Sequence, residues 1–99
     1  MAVEHIVLLK WKPGLTAARI KHQMDGVLAL RRRVPNLTTL QAGKPFKQMP
    51  DDADWDCAIL MTFPAPKDLE HWATCHDHTA YAKTLMPDVE KYLVVDFER

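Results

Sequence analysis

Two histidines are placed where the chain could carry out acid–base chemistry. His5 lies in an apolar strand pattern near the start of the chain, and His78 lies at the start of a predicted helix near its end. Strand alternation turns His5 to the same side as Val7 and Leu9, the side on which we expect the helices to pack. Because burial lowers the pKa of a histidine, an imidazole enclosed there would stay neutral and able to accept a proton. The pair therefore suggests a base tuned for work near neutral pH.

Other interpretations of these residues remain open. A lone histidine on an apolar face is more often a hydrogen-bonded core residue than a catalytic one. The run Cys75-His76-Asp77-His78 also contains side chains that bind metal ions. So compact a run cannot wrap four ligands around one zinc ion, and a metal there would need His76, His78 and a third ligand from elsewhere. We therefore predict no metal and no cofactor.

Composition excludes several classes of function. The 99 residues contain no serine, which rules out a Ser-His-Asp hydrolase. The three glycines stand alone, without the spacing of a nucleotide-binding loop. Formal net charge is zero and the charges are mixed, so we expect no nucleic-acid partner. The apolar runs are too short to span a membrane and no leader pattern precedes the first strand, so we expect a cytoplasmic protein.

Alternating and helical patterns predict a single α+β domain over residues 1–99. Thr16 is a suitable N-cap for the first helix, and Pro66 suits the first position of the second. The side chains expected to face the core are Ile20, Met24, Val27, Leu28 and Leu30 on the first helix, and Leu69, Trp72 and Ala73 on the second. The predicted elements are strand Val3–Lys12, helix 16–33, strand Leu37–Phe46, strand Trp55–Phe63, helix 66–73, helix 78–86 after a break at Thr74–Asp77, and strand Tyr92–Phe97.

The order βαββαβ predicts a ferredoxin-like four-stranded antiparallel sheet with the helices on one face. The strongest three strands are nevertheless apolar on both faces, whereas a solvent-facing side should be polar. Leaving six or seven such side chains in water would forfeit about 10 kcal/mol. We therefore expect a homodimer in which two sheets close into an α+β barrel. The predicted interface consists of Ile6, Leu8, Ala58, Leu60, Leu93, Val95 and Phe97.

The helix-facing side of the sheet is expected to form a pocket for a small apolar carbonyl compound. Its predicted lining consists of Val7, Leu9, Met24, Cys57, Ile59, Met61, Trp72, Val89, Tyr92 and Val94 around the two histidines. Trp72 and the methionines would serve equally well as plain core residues.

The opening VEHIVLLKWKPG at positions 3–14, the ending YLVVDF at 92–97 and the histidine at position 78 resemble the stress-responsive A/B barrel domain family. The resemblance covers nearly the whole chain and implies a dimeric α+β barrel. Plant polyketide cyclases of this family work without a cofactor, and the resemblance implies that His78 is the base and His5 its partner. Cys57 stands where those enzymes have a third histidine, and Trp72 stands where they have a tyrosine.

Three functions are consistent with these residues. The first is a cofactor-free cyclase, isomerase or lyase that acts on an enolisable carbonyl compound, with His78 as general base and His5 orienting or polarising the substrate. The second is a non-catalytic, stress-responsive dimer that binds a ligand or partner, which would leave no cavity beside His5. The third is a cofactor-independent or haem-acting monooxygenase of the same superfold. The fold hosts many activities, so the resemblance alone does not choose between them.

Overall fold

The computed structural model describes residues 1–99 and has the predicted ferredoxin-like architecture. Its strands are β1 (Val3–Trp11), β2 (Thr39–Gly43), β3 (Cys57–Phe63) and β4 (Val89–Glu98), and its helices are α1 (Ala17–Ala29), α2 (Pro66–Thr74) and α3 (His76–Leu85). Short 3₁₀ turns follow α1 at Leu30–Arg32 and α3 at Met86–Asp88. The four strands form one antiparallel sheet in the order β2-β3-β1-β4. The predicted fold class is confirmed.

The core lies between the sheet and the helices. Phe63 and Val27 are completely buried there, and Trp72 is 2% exposed. Thr16 caps α1 as predicted, because its side-chain oxygen accepts a hydrogen bond from the backbone N–H of Arg19. These contacts bring α1, α2 and α3 onto the side of the sheet that carries His5.

Strand β1 and helix α2 match the predicted bounds to within one residue, and the other elements differ more. β2 is half as long as predicted, because Pro45 cannot donate to a strand ladder. β3 begins at Cys57 rather than Trp55, because Asp56 turns back to the end of β1 and accepts a hydrogen bond from the backbone N–H of Trp11. β4 begins three residues earlier than predicted, at Val89, and only this first residue of the strand is buried.

Three predictions about the helices are wrong. The break between α2 and α3 is the single residue Cys75, which is extended, so α3 starts two residues before His78. Leu28 is 37% exposed, and the buried face of α1 instead includes Gln23. The Gln23 amide donates to the backbone oxygen of Thr84 and to the carboxylate of Asp88, and these bonds make its burial tolerable. Ala73 is exposed because α2 turns only Leu69 and Trp72 inward.

Candidate functional site

A cavity of about 330 Å³ lies between the sheet and α3, and both candidate histidines line it. The sequence predicted nine of its lining residues: His5, Val7, Leu9, Ile59, Met61, Trp72, His78, Tyr92 and Val94. Strand register explains the floor, because His5 pairs with Met61 and Val7 pairs with both Ile59 and Val94. Side chains that are opposite one another on paired strands share one face of the sheet. The cavity is therefore built on the strands whose pattern the sequence showed most clearly.

Three residues predicted for the lining lie outside the cavity. Cys57 is buried beneath α1, with its Sγ atom 3.4 Å from the sulfur of Met24. Val89 is packed into the core at the start of β4. The reason is the same for Cys57 and Met24: α1 covers that end of the sheet, whereas the cavity lies under α3. Burial raises the pKa of the Cys57 thiol to about 11, so it stays protonated and poorly nucleophilic.

His5 is held by a carboxylate that the sequence reasoning did not single out. Its Nδ1 atom lies 2.5 Å from the Oδ1 atom of Asp96, the residue directly opposite on β4. Because an ionised carboxylate can only accept, Nδ1 is the nitrogen that donates, and Nε2 remains for a ligand. A proton gained by His5 would place a cation beside this anion. The bond to Asp96 fixes the tautomer and the orientation of the His5 ring at one end of the cavity.

His78 occupies the first turn of α3, with its ring edge-on to the ring of Trp72 at a centroid distance of 5.0 Å. Partial burial lowers the pKa of His78 below its ordinary value of 6.5, and the charge of His5 lowers it further. At neutral pH this ring is uncharged and can accept a proton. The two histidines thus have different surroundings, since one has a carboxylate partner and the other an aromatic wall.

Apart from the two histidines, the side chains that line the cavity are largely apolar. The lining residues that sequence reasoning missed are Leu30, Tyr81, Ala82, Leu85 and Met86, most of them on α3. No lysine or arginine lines the cavity, so nothing there offers a positive side chain to a carboxylate or phosphate group. Tyr92 and Val94 are both substantially exposed, which leaves the cavity open along the β4 edge. The arrangement suits an uncharged, largely apolar ligand.

The remaining histidines do not join this site. His22, His71 and His76 are exposed on the helices. No group of three histidine, cysteine or carboxylate side chains lies close enough together to hold a metal ion, so the third ligand that a metal at His76 and His78 would need is not in place. No helix has the length and apolar character needed to cross a membrane.

The sequence model of the stress responsive A/B barrel domain matches residues 3–99. The chain belongs to this family. Its fold is shared by a protein of Arabidopsis thaliana, with 18% identity and a TM-score of 0.89 over 98% of this chain and 94% of that one. No curated protein matches the chain.

Two further solved structures resemble this member of the A/B barrel family. The hydroxynitrile lyase of Passiflora edulis is 23% identical, with a TM-score of 0.87 over 97% of this chain and 91% of that chain. A dimeric protein of unknown function from Bacteroides fragilis, with a ferredoxin-like fold, is 24% identical, with a TM-score of 0.77 over 99% of this chain and 96% of that chain. These similarities establish a shared fold.

Two polar residues of the site could have been found from sequence. Asp96 continues the alternation of Tyr92 and Val94 on β4, which turns it towards the helices. Tyr81 follows His78 by three positions, a spacing that places two side chains on the same face of a helix. Neither was predicted, because the site was assigned from the histidines and the apolar side chains alone.

Proposed function

We propose that this protein is a cofactor-free enzyme that removes a proton from the carbon next to the carbonyl group of a small, uncharged substrate. The observation that carries the proposal is one apolar cavity lined by two differently tuned histidines. His78 stays neutral and can act as the base, while His5 has Asp96 as a counter-ion and can polarise the carbonyl group.

The chemical step balances within the site. The carbon–hydrogen bond breaks, its proton goes to His78, and its electron pair forms a carbon–carbon double bond. The π electrons of the carbonyl group move to oxygen, where a hydrogen-bond donor stabilises the resulting negative charge. His5 can be that donor only when both of its ring nitrogens carry a proton, because its Nδ1–H is already donated to Asp96. The enolate can then attack a second carbonyl group, take a proton at another carbon or expel a leaving group. These three outcomes correspond to a cyclase, an isomerase and a lyase.

The similar protein of Passiflora edulis is a hydroxynitrile lyase, so a lyase activity occurs on this fold. The departures at Cys57 and Trp72 weigh against the polyketide cyclase substrate that the family resemblance implies. The reaction class therefore rests on the histidines, and the substrate class rests on the uncharged lining.

Deuterium exchange tests the base directly. We expect the protein to exchange the α-protons of 2-heptanone, a neutral ketone, in D₂O, as followed by proton NMR. His78→Asn should slow this exchange about 10²–10⁴-fold, the usual contribution of a general base. His76→Asn is the matched control, because it removes an exposed imidazole from the same helix.

Equal exchange rates in the His78→Asn variant and the wild-type protein would refute the proposal. Ketone binding without exchange would favour the ligand-binding dimer instead. A Soret shift on adding haem would favour the monooxygenase.

We also propose that two copies of the chain pair through the sheet face that carries no helix. The face is apolar at its centre, where Leu93, Val95 and Phe97 of β4 are each almost half exposed. The accessible surface of the chain is 6544 Å², whereas a compact monomer of 11.4 kDa has about 5800 Å² by the scaling 6.3 M^0.73. The excess of roughly 700 Å² approaches the ~800 Å² that each partner buries in a standard interface.

A second copy is the occupant that fits this face best, since a two-fold contact places the same apolar strip against itself. The similar protein of Bacteroides fragilis is described as dimeric. Pairing would close the two sheets into a barrel and leave both cavities on the outside, under their own helices.

A further inference from the structure

The phenol ring of Tyr81 lines the cavity and has no part in the proposed two-histidine mechanism. Tyr81 lies on α3 one turn after His78, and its ring packs at 6.4 Å from the ring of Trp72 in a tilted arrangement. Its hydroxyl group has no hydrogen-bond partner within the protein, and since no fully buried polar atom lacks a partner, this oxygen is in contact with open space. An unpaired donor at the wall of an otherwise apolar cavity is available to a ligand.

The surroundings of Tyr81 keep its hydroxyl group protonated. Burial raises the pKa of Tyr81 well above its ordinary value. The group therefore keeps its proton at any pH at which the protein works, and it acts as a donor.

We propose that Tyr81 is a further catalytic residue, whose hydroxyl group donates a hydrogen bond to the carbonyl oxygen of the substrate. This inference rests on the proposed function of the same cavity. As His78 takes the α-proton, negative charge develops on the carbonyl oxygen, and a fixed neutral donor in an apolar site stabilises that charge without being neutralised by it. Tyr81 thus supplies the hydroxyl group that Trp72, whose indole has only an N–H donor, cannot supply.

The alternative donors differ in position and chemistry. The phenol of Tyr92 also lines the cavity, but Tyr92 is 58% exposed at the open β4 edge, where water competes for its hydrogen bonds. Trp72 contacts His78 with its ring and forms the wall that orients the base. Tyr81 is only partly exposed and lies on the same helix face as His78.

The test uses 2-heptanone labelled with ¹³C at the carbonyl carbon as the probe. On binding to the wild-type protein we expect a downfield shift of the carbonyl resonance, which reports a hydrogen bond to its oxygen. Tyr81→Phe should reduce that shift and slow the α-deuterium exchange about 10²-fold, the usual cost of one lost donor to a developing oxyanion. Phenylalanine keeps the ring and its packing on Trp72, so ketone affinity should change far less than the exchange rate.

The outcomes separate this inference from the proposed function. Unchanged exchange and an unchanged carbonyl shift in Tyr81→Phe, with exchange lost in His78→Asn, would overturn the role of Tyr81 alone. Loss in Tyr92→Phe to the same extent as in Tyr81→Phe would also overturn it. No exchange in the wild-type protein, together with a carbonyl shift that depends on Tyr81, would overturn the catalytic function but keep Tyr81 as the ligand's donor. A ketone that does not bind to the wild-type protein would overturn both.

Discussion

A charge placed at the centre of the helix-free sheet face should separate the proposed dimer. Val95 lies on that face, directly opposite Ile6 in the strand pairing, and 47% of its surface is exposed in a single copy. In the dimer an aspartate there would lose the contacts of the isopropyl group and bury a carboxylate without a partner. The second effect dominates, at several kcal/mol after relaxation.

The two-fold symmetry of the dimer doubles the effect of the substitution on the dimerisation free energy. A two-fold interface presents the substituted position twice, so even about 2 kcal/mol at each copy gives about 4 kcal/mol in total. At 1.4 kcal/mol for each factor of ten, Val95→Asp should weaken dimerisation about 10³-fold or more. The wild-type protein should sediment as a particle of about 23 kDa at micromolar concentration, twice the 11.4 kDa of the chain, and the variant as a monomer.

Leu28→Asp supplies the matched control, because Leu28 is similarly exposed but lies on α1, on the other side of the sheet. It should remain dimeric and folded. A wild-type protein that sediments at about 11 kDa, or a Val95→Asp variant that dimerises as tightly as the wild type, would refute the reasoning.

Three further expectations concern the site and the core. On acidification the rate of α-proton exchange should fall with a midpoint below pH 6.5, because the pKa of His78 is lowered from that value; a midpoint above pH 6.5 would contradict this assignment. Asp96→Asn should leave the fold intact by circular dichroism but lower exchange at least 10-fold, since His5 loses its charged partner; an unaltered rate would remove Asp96 from the scheme. Phe63→Ala should lower the free energy of unfolding, measured in urea, by about 3–5 kcal/mol. Phe46→Ala, at a fully exposed position, should change it by less than ~0.5 kcal/mol. Similar losses in both variants would show that the core is misassigned.

The strands and the first helix could be predicted because their signals are local. The alternation along β1 and β3 and the cap at Thr16 depend on neighbouring residues, and the structure agrees with them. The rotation of α1 could not be predicted from its apolar stripe. Gln23 is drawn inward by partners more than sixty positions away, and Leu28 is turned outward in consequence.

The site could be predicted only in part for the same reason. His5 and His78 were identified because histidines on apolar patterns are conspicuous. The local patterns indicate which way Asp96 and Tyr81 face, but the bond between Asp96 and His5 depends on the register between β1 and β4, which long-range pairing sets. The place of Tyr81 beside the cavity likewise depends on how α3 packs over the sheet. The exclusion of Met24 and Cys57 from the cavity likewise depended on which helix covers which end of the sheet.

The central claim is that His78 is a neutral base that faces a ligand inside the cavity. The most direct measurement is an NMR titration of the histidine side chains with and without 2-heptanone. The account predicts that His78 titrates below pH 6.5 and moves lower still when the ketone fills the cavity and excludes water, while His76 is unaffected. A His78 that titrates at or above pH 6.5 and does not respond to the ketone would contradict it.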